Sequence, residues 1–254
     1  MNIIEPTVEV WKQGEGLQGM YEHIERCARV CYRSENKGNV TAEKFVKGLI
    51  KRNELRPLEF GTVKMKYPAN QSLEEVDFYP WMRFTSDDSC LTNLRVLVES
   101  APNWWEGWLK EECVWDEDVT TARPTVHWNI SRGIADEFRT HVMLSSIMES
   151  TRYVNYGKKD IEVIRPTWLP ADMASEKAIW QDSIKYSINA YKMLLAMDMR
   201  PEQARGVLPL DLATNLVQCG FMDAWDNFFD KRCDRHAHPD SQCIAKKAQE
   251  LINS

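Results

Sequence analysis

The stretch 129–156, NISRGIADEFRTHVMLSSIMESTRYVNY, constrains this chain more than any other, because it sets reactive polar side chains inside helix-like spacing. Ile134, Phe138, Val142 and Met143 recur every three to four residues. This spacing predicts a strand end running into an amphipathic helix, with Arg132, Glu137, Arg139 and His141 off the apolar stripe and facing a cleft or solvent. Beyond Leu144 come Ser145, Ser146, Ser150, Thr151, Arg152 and Tyr153. Short hydroxyls ending in a guanidinium suit phosphate or carboxylate oxygens. The same residues at a helix end also serve capping and surface pairing, and periodicity does not separate the two readings.

A chain of 254 residues, 43% hydrophobic and 28% charged, has the makings of a soluble globular protein with one substantial core or two modest ones. Its formal charge of -6 disfavours a nucleic acid polymer as partner, while a local basic pocket for a single nucleotide remains compatible with it. No apolar run approaches the roughly 20 residues of a membrane span. The opening MNIIEPTVEV has no basic region or small-residue cleavage site, so no membrane association and a cytoplasmic location are expected. Seven cysteines without a secretory signal point to reduced thiols. Cys233, His236, His238 and Cys243 have zinc-ligand types without a zinc-site spacing, and no metal is expected.

Taken in order, residues 17–36 carry Met20, Ile24, Cys27 and Cys31 at helical spacing, with Arg26, Arg29 and Arg33 on the polar side. Thr41 is placed to cap a second helix bearing Phe45, Val46, Leu49 and Ile50, which the segment 56–60 stops. Residues 61–67 alternate as a strand, 78–84 form a second strand candidate and a hairpin between them is plausible; 91–100 fits a short helix. Trp104, Trp105, Trp108 and Trp115 fall in a charged, loop-like stretch, either as a ligand or subunit surface or as a lid on a core. Strands are expected at 124–130 and in the IEVI segment at 161–164, a long core helix over 173–198, and another helix starting at Pro201. Short strands between long helices make the expected class α+β, a small antiparallel sheet flanked by helices. Residues 1–254 then form a single domain with an insert at about 61–126.

The organising stretch resembles the signature of flavin-dependent thymidylate synthases, R-H-R-x-x-S-x-N-x-x-S-x-R-Y. His141, Ser145, Ser150, Arg152 and Tyr153 match it without a gap, and the pair Ser131-Arg132 matches upstream. Thr140, Val142 and Ile147 stand where the signature has arginine, arginine and asparagine. The segment 56–60, R-P-L-E-F, is similar to the family's S-P-L-E-H turn. Ala204, Arg205, Val207, Leu208 and Pro209 match its A-R-x-V-L-P, and Asn227, Phe228, Arg232, His236 and Ala237 match a run ending R-x-x-x-H-A-Q. Phe221 and His238 depart from the asparagine and glutamine usual there. The resemblance covers most of the chain outside the insert.

That resemblance implies methylation of a pyrimidine deoxynucleotide monophosphate, dUMP, at carbon 5, with FAD, NADPH and methylenetetrahydrofolate, in a homotetramer whose flavin lies between subunits. It implies a substrate site of Glu137, Ser150, the Thr151 backbone, Arg152 and Arg205. Arg232 would act as the catalytic guanidinium, stabilising charge that develops on the ring carbonyl. His141, Ser145, Asn227 and His236 would line the flavin, with Arg139 the natural substitute for the missing signature arginines and weaker FAD binding than in relatives. None of the seven cysteines lies in a matched motif beside a polarising partner, so thiolate attack on the ring is not expected. A sibling enzyme acting on another nucleotide such as dCMP, or delivering a hydroxymethyl group, and a catalytically silent nucleotide-binding protein are the alternatives.

Overall fold

The computed structural model describes residues 1–34, 38, 40–66, 81–85, 89–158, 161–169 and 174–254. Among these, the architecture is mixed α and β, with small antiparallel sheets flanked by helices. The central sheet has the order β2 (Thr7–Trp11), β7 (Thr125–Ser131), β10 (Ala213–Cys219), β8 (Ser145–Met148), every neighbouring pair antiparallel.

Strand alternation splits this sheet into two unlike faces. Val126, Trp128, Ile130 and Leu216 point to one side. There they meet α6 (Arg132–Phe138), α9 (Met222–Arg232) and α10 (Pro239–Ile252) in one apolar cluster, where Trp128 packs on Phe138, Trp225 and Phe228. Full burial of each such side chain stabilises the fold by about 1.5–3 kcal/mol. The opposite face carries Val217 and Cys219, packed with Cys27 of α1 (Gly16–Val30) and with Phe60 of the 3-10 turn Arg56–Phe60. It also carries His127 and Asn215, which are polar and belong to the site described below.

The helix expected to continue through the signature stretch ends at Phe138. The Thr140 hydroxyl and the Arg232 guanidinium both donate to the Glu137 carbonyl, and His141 N turns back onto the Phe138 carbonyl. Val142 is consequently 83% exposed instead of joining an apolar stripe, and Leu144 turns inward. Ser145–Met148 then pair with β10 as an edge strand, so the hydroxyl run begins in a sheet and not at a helix end.

The first two helices form, but the first ends at Val30, with Cys31 as its C-cap, short of the expected 36. In α2 (Ala42–Lys51) the Thr41 hydroxyl accepts from Lys44 N. A second sheet is built from β4 (Arg83–Phe84), β5 (Ser89–Asn93), β3 (Thr62–Lys66) and β6 (Cys113–Val114), in that order. Residue 67 and the start of the second strand candidate, 78–80, lie outside the described residues; its end, β4, pairs with β5, so among the described residues it makes no hairpin with β3. The helix expected at 91–100 is α3 (Leu94–Ser100); the residues before it are strand β5, with Asn93 as the cap. Trp105 is buried in the helix α4 (Trp105–Glu111), and Trp108 and Trp115 pack against the α1–α2 core, while Trp104 stays exposed.

Two further corrections concern the second half. The strand β9 (Glu162–Ile164) pairs in parallel with β1 (Asn2–Ile4), a small parallel element that alternation had not revealed. The long helix α7 (Ala174–Ala196) exists, but of the apolar face expected in the core only Ile188 and Tyr191 are buried, together with Ile184, which that face did not include. The helix expected from Pro201 is a single turn, α8 (Pro201–Ala204), leading through a 3-10 turn at Arg205–Val207 to the central strand β10. No described helix is long and apolar enough to cross a membrane.

Candidate functional site

Between α1, the end of α2, the 3-10 turn at 56–60 and the edge strand β8 lies a cleft of about 1040 Å³. Arginines dominate its wall. Four of them are held by carboxylates: Arg29 by Glu25, Arg52 by Glu54, Arg95 by Glu59 and Glu99, and Arg139 by Asp136. The other three, Arg56, Arg132 and Arg205, pair with no carboxylate among the described residues. Arg56 Nε donates to the Ser146 carbonyl at 3.0 Å, Arg132 Nη1 to the Glu149 carbonyl at 3.5 Å and Arg205 Nη1 to the Thr151 hydroxyl at 3.2 Å. A guanidinium has five N–H donors, so each keeps several for an incoming anion.

One carboxylate in the cleft wall, Glu149, is only 1% exposed. Tyr156 donates to its Oε1 at 2.6 Å, Asn215 Nδ2 to its Oε2 at 2.7 Å, and Arg33 stands 3.8 Å away. Because an ionised carboxylate only accepts, it fixes the Asn215 amide with its nitrogen toward Glu149 and its oxygen toward His127 Nε2, 3.0 Å distant. His127 must then carry its proton on Nε2. Burial lowers its pKa and keeps the ring neutral. The chain of contacts runs from the cleft across the polar face of the sheet to Trp11, which stacks on His127 at 4.3 Å.

A second cluster forms where α6 meets the end of α9. Arg232 donates from Nε to His141 Nε2 at 2.9 Å, from Nη1 to the Glu137 carboxylate at 3.1 Å, and from Nη2 to the Glu137 carbonyl and the Thr140 hydroxyl. Burial first, then Arg232 and Lys231, push His141 down to about 4. Its Nε2 is thus free of a proton and accepts from the guanidinium.

Of the residues singled out in the sequence, the cleft brings together Arg139, Ser150, Thr151 and Arg205. Glu137, His141 and Arg232 join each other in the second cluster, outside the cleft wall. Arg152 is exposed and lies over the Tyr153 ring, while Ser145 is buried in β8 with no partner for its hydroxyl among the described residues. Asn227 is on the exposed side of α9. His236 is exposed and paired with Asp234 at 2.8 Å. Arg205 and Arg232 make no ion pair with the nearby Glu202, Asp226 or Asp230; Glu202 is held by Arg200 and Arg232 by Glu137. Arg56, Glu149 and Asn215 were missed. The signal for Arg56 was its departure from the serine of the S-P-L-E-H turn, and for Glu149 its place inside the hydroxyl run.

The family model described as thymidylate synthase complementing protein matches residues 120–254, more than half of the chain. The chain belongs to that family. Three relatives named flavin-dependent thymidylate synthase are similar to it. That of Haloarcula marismortui is 28% identical over 111 residues, covering 35% of this chain and 45% of the relative. That of Pyrobaculum aerophilum is 29% identical over 144 residues, 47% and 54% of the two chains, and that of Synechocystis sp. 30% over 78 residues, 31% and 34%. The chain therefore spans about half or less of the length of these relatives. The matched range contains Arg132, Glu149 and Arg205 but not Arg56.

Proposed function

We propose that this protein is an enzyme that methylates dUMP to dTMP, using FAD, NADPH and methylenetetrahydrofolate. The observation that carries the reading is the cleft in which Arg56, Arg132 and Arg205, without a carboxylate partner among the described residues, are anchored along the segment 146–151 that carries Ser150 and Thr151, in a chain of this family. The cleft is of the size of cofactor pockets and adds the aromatic walls of Tyr32 and Phe45, so its residues fit a phosphate-bearing ring compound. When bound, the reduced flavin supplies the hydride of the reaction. Arg205, Ser150 and the Thr151 backbone hold the nucleotide phosphate, with Arg152 reaching in from the exposed turn. Arg139 stands on the flavin side, and buried Ser145 and His141 support that side from behind.

Arg205→Ala is expected to raise the dissociation constant of dUMP ten- to a hundredfold, because a charge-assisted bond contributes about 1.5–3 kcal/mol. Arg152→Lys keeps charge but loses the planar fork, for a rise of roughly tenfold. Calorimetric titration with dUMP and with dCMP measures both effects and ranks the two substrates. Unaltered affinity in both variants would remove the phosphate site from this cleft.

The assembly we propose is a homotetramer in the cytoplasm, with one domain per chain and the 61–126 segment as an appended sheet sharing the α1–α2 core. Arg232, Glu137, Asn227 and His236, which stand outside the cleft of their own chain, would complete a site shared between copies. Arg232 would there face the pyrimidine. Support comes from α7 and the turn residue that follows it, where Ile179, Tyr186, Met193 and Met197 are 73%, 78%, 66% and 73% exposed. The spacing of 7 and 7 residues places Ile179, Tyr186 and Met193 on one helical stripe, which Met197 extends just past the helix end, an apolar surface suited to a second copy. Combined Tyr186→Glu and Met193→Glu substitutions should convert the assembly to smaller species in light scattering and abolish dTMP formation. A wild-type monomer that carries flavin would rule the shared site out.

A further inference from the structure

We propose that the buried guanidinium of Arg123 holds a small monovalent anion, of the class of chloride, at the junction between the central sheet and the 61–126 segment. Arg123 is 3% exposed and stands just before β7. Its Nη1 donates to the Glu59 carbonyl at 2.8 Å, while Nε and Nη2, both buried, meet no acceptor among the described residues. A guanidinium is a permanent cation, and burying one without a compensating charge is costly. The Glu59 carbonyl and the Phe221 ring, 5.4 Å away, offer partial charges only.

Among the described residues no carboxylate pairs with Arg123. Glu59, whose carbonyl it bonds, turns its carboxylate to Arg95 at 2.6 Å, and the buried Glu25 is taken by Arg29 at 2.6 Å. The charges that bear on the buried His23 are Arg26 and Arg123, both positive, and Arg83 lies over the same Phe221 ring at 4.8 Å. A second buried donor belongs to this junction. Asn93 accepts from Val96 N at its Oδ1, which turns its Nδ2 away, and that Nδ2 also meets no acceptor among the described residues. Asn93 stands opposite Thr62 in the β3–β5 pair, close in the chain to Glu59. Buried N–H groups need an acceptor. Water satisfies the N–H groups and leaves the charge; a monovalent anion does both, whereas a dianion brings more charge than one guanidinium cancels. Such an ion would join three parts of the fold, because Arg123 holds the 3-10 turn of the cleft through Glu59 and its own carbonyl accepts from Cys219 Sγ of β10 at 3.4 Å.

The test uses the full-length protein and is independent of the reaction proposed above. Thermal unfolding is followed at constant ionic strength while chloride replaces gluconate, an anion too large for the junction. Raising chloride from roughly 10 mM to roughly 500 mM should increase Tm by about 3 °C along a saturating curve. Arg123→Gln retains an amide donor for the Glu59 carbonyl and should lose that increase. Arg56→Gln, in the cleft wall, should keep it, which separates the junction from anions held by the cleft arginines. Crystals of the wild-type protein soaked in bromide decide the matter even if Arg123→Gln does not fold: an anomalous peak is expected beside Nε and Nη2 of Arg123. The proposal is overturned if the chloride-specific increase is absent, if it survives in folded Arg123→Gln, or if bromide is found only at exposed or cleft arginines with water at Arg123.

Discussion

Glu149→Ala is expected to lower stability by about 4 kcal/mol, because two donors now bonded to a buried carboxylate lose their acceptor and each bond to a charged group contributes about 1.5–3 kcal/mol. Tyr156 is buried with its hydroxyl directed at Glu149 at 2.6 Å, and Asn215 spends its amide nitrogen there at 2.7 Å. Arg33, at 3.8 Å and partly open to solvent, can turn to water and adds little. In a chain of this length such a loss lowers Tm by about 8–16 °C. The damage should spread to the cleft, since Ser150 and Thr151 follow directly and Arg132 bonds the Glu149 carbonyl. Glu149→Gln keeps the shape and one acceptor, and should cost about half as much. Thermal unfolding of the three proteins measures this, and a drop below about 3 °C in the alanine variant would show the carboxylate to be dispensable.

Acid should destabilise the protein through its buried histidines. His23, buried in α1 beside the Thr125 hydroxyl at 3.0 Å, has its pKa pushed down to about 4, chiefly by burial and then by Arg26 and Arg123. In the unfolded chain it titrates near 6.5. Above that pH the ring is neutral in both states and the folded protein keeps its full stability. As the pH falls from 6.5 toward 4, only the unfolded chain takes up the proton, and stability is lost at about 1.4 kcal/mol per pH unit, or about 3 kcal/mol by pH 4. His141, also brought to about 4, and His127, lowered by burial, act in the same direction. Denaturant unfolding at pH 7, 5 and 4 should show the decline, and His23→Gln, neutral throughout, should flatten it by about 3 kcal/mol. Parallel pH profiles for the two proteins would exclude His23 as a source.

The spacing of apolar residues determined much of this protein directly. The first helix with Met20, Ile24 and Cys27 inward, the Thr41 cap, the strand at 125–131 and the long helix after 173 follow from contacts between near neighbours in the chain. The signature residues around Ser150 and Arg205 identified the family from the order of side chains alone. Tertiary structure decided where local preference was weak or misleading. Ser145–Met148 have no strong preference of their own and became a strand because β10 offers its edge, while Thr140 and Arg232 stop the helix at the Glu137 carbonyl. Ile179, Tyr186, Met193 and Met197 have helical spacing whether their face meets a core or another chain; packing, not periodicity, left them outside. Arg56 and Ser146 are 90 residues apart, and Glu149 and Asn215 are 66 apart. No property of a short segment encodes such pairs, because each exists only once the sheet and helices have brought distant stretches of chain together, and it is these pairs that build the cleft.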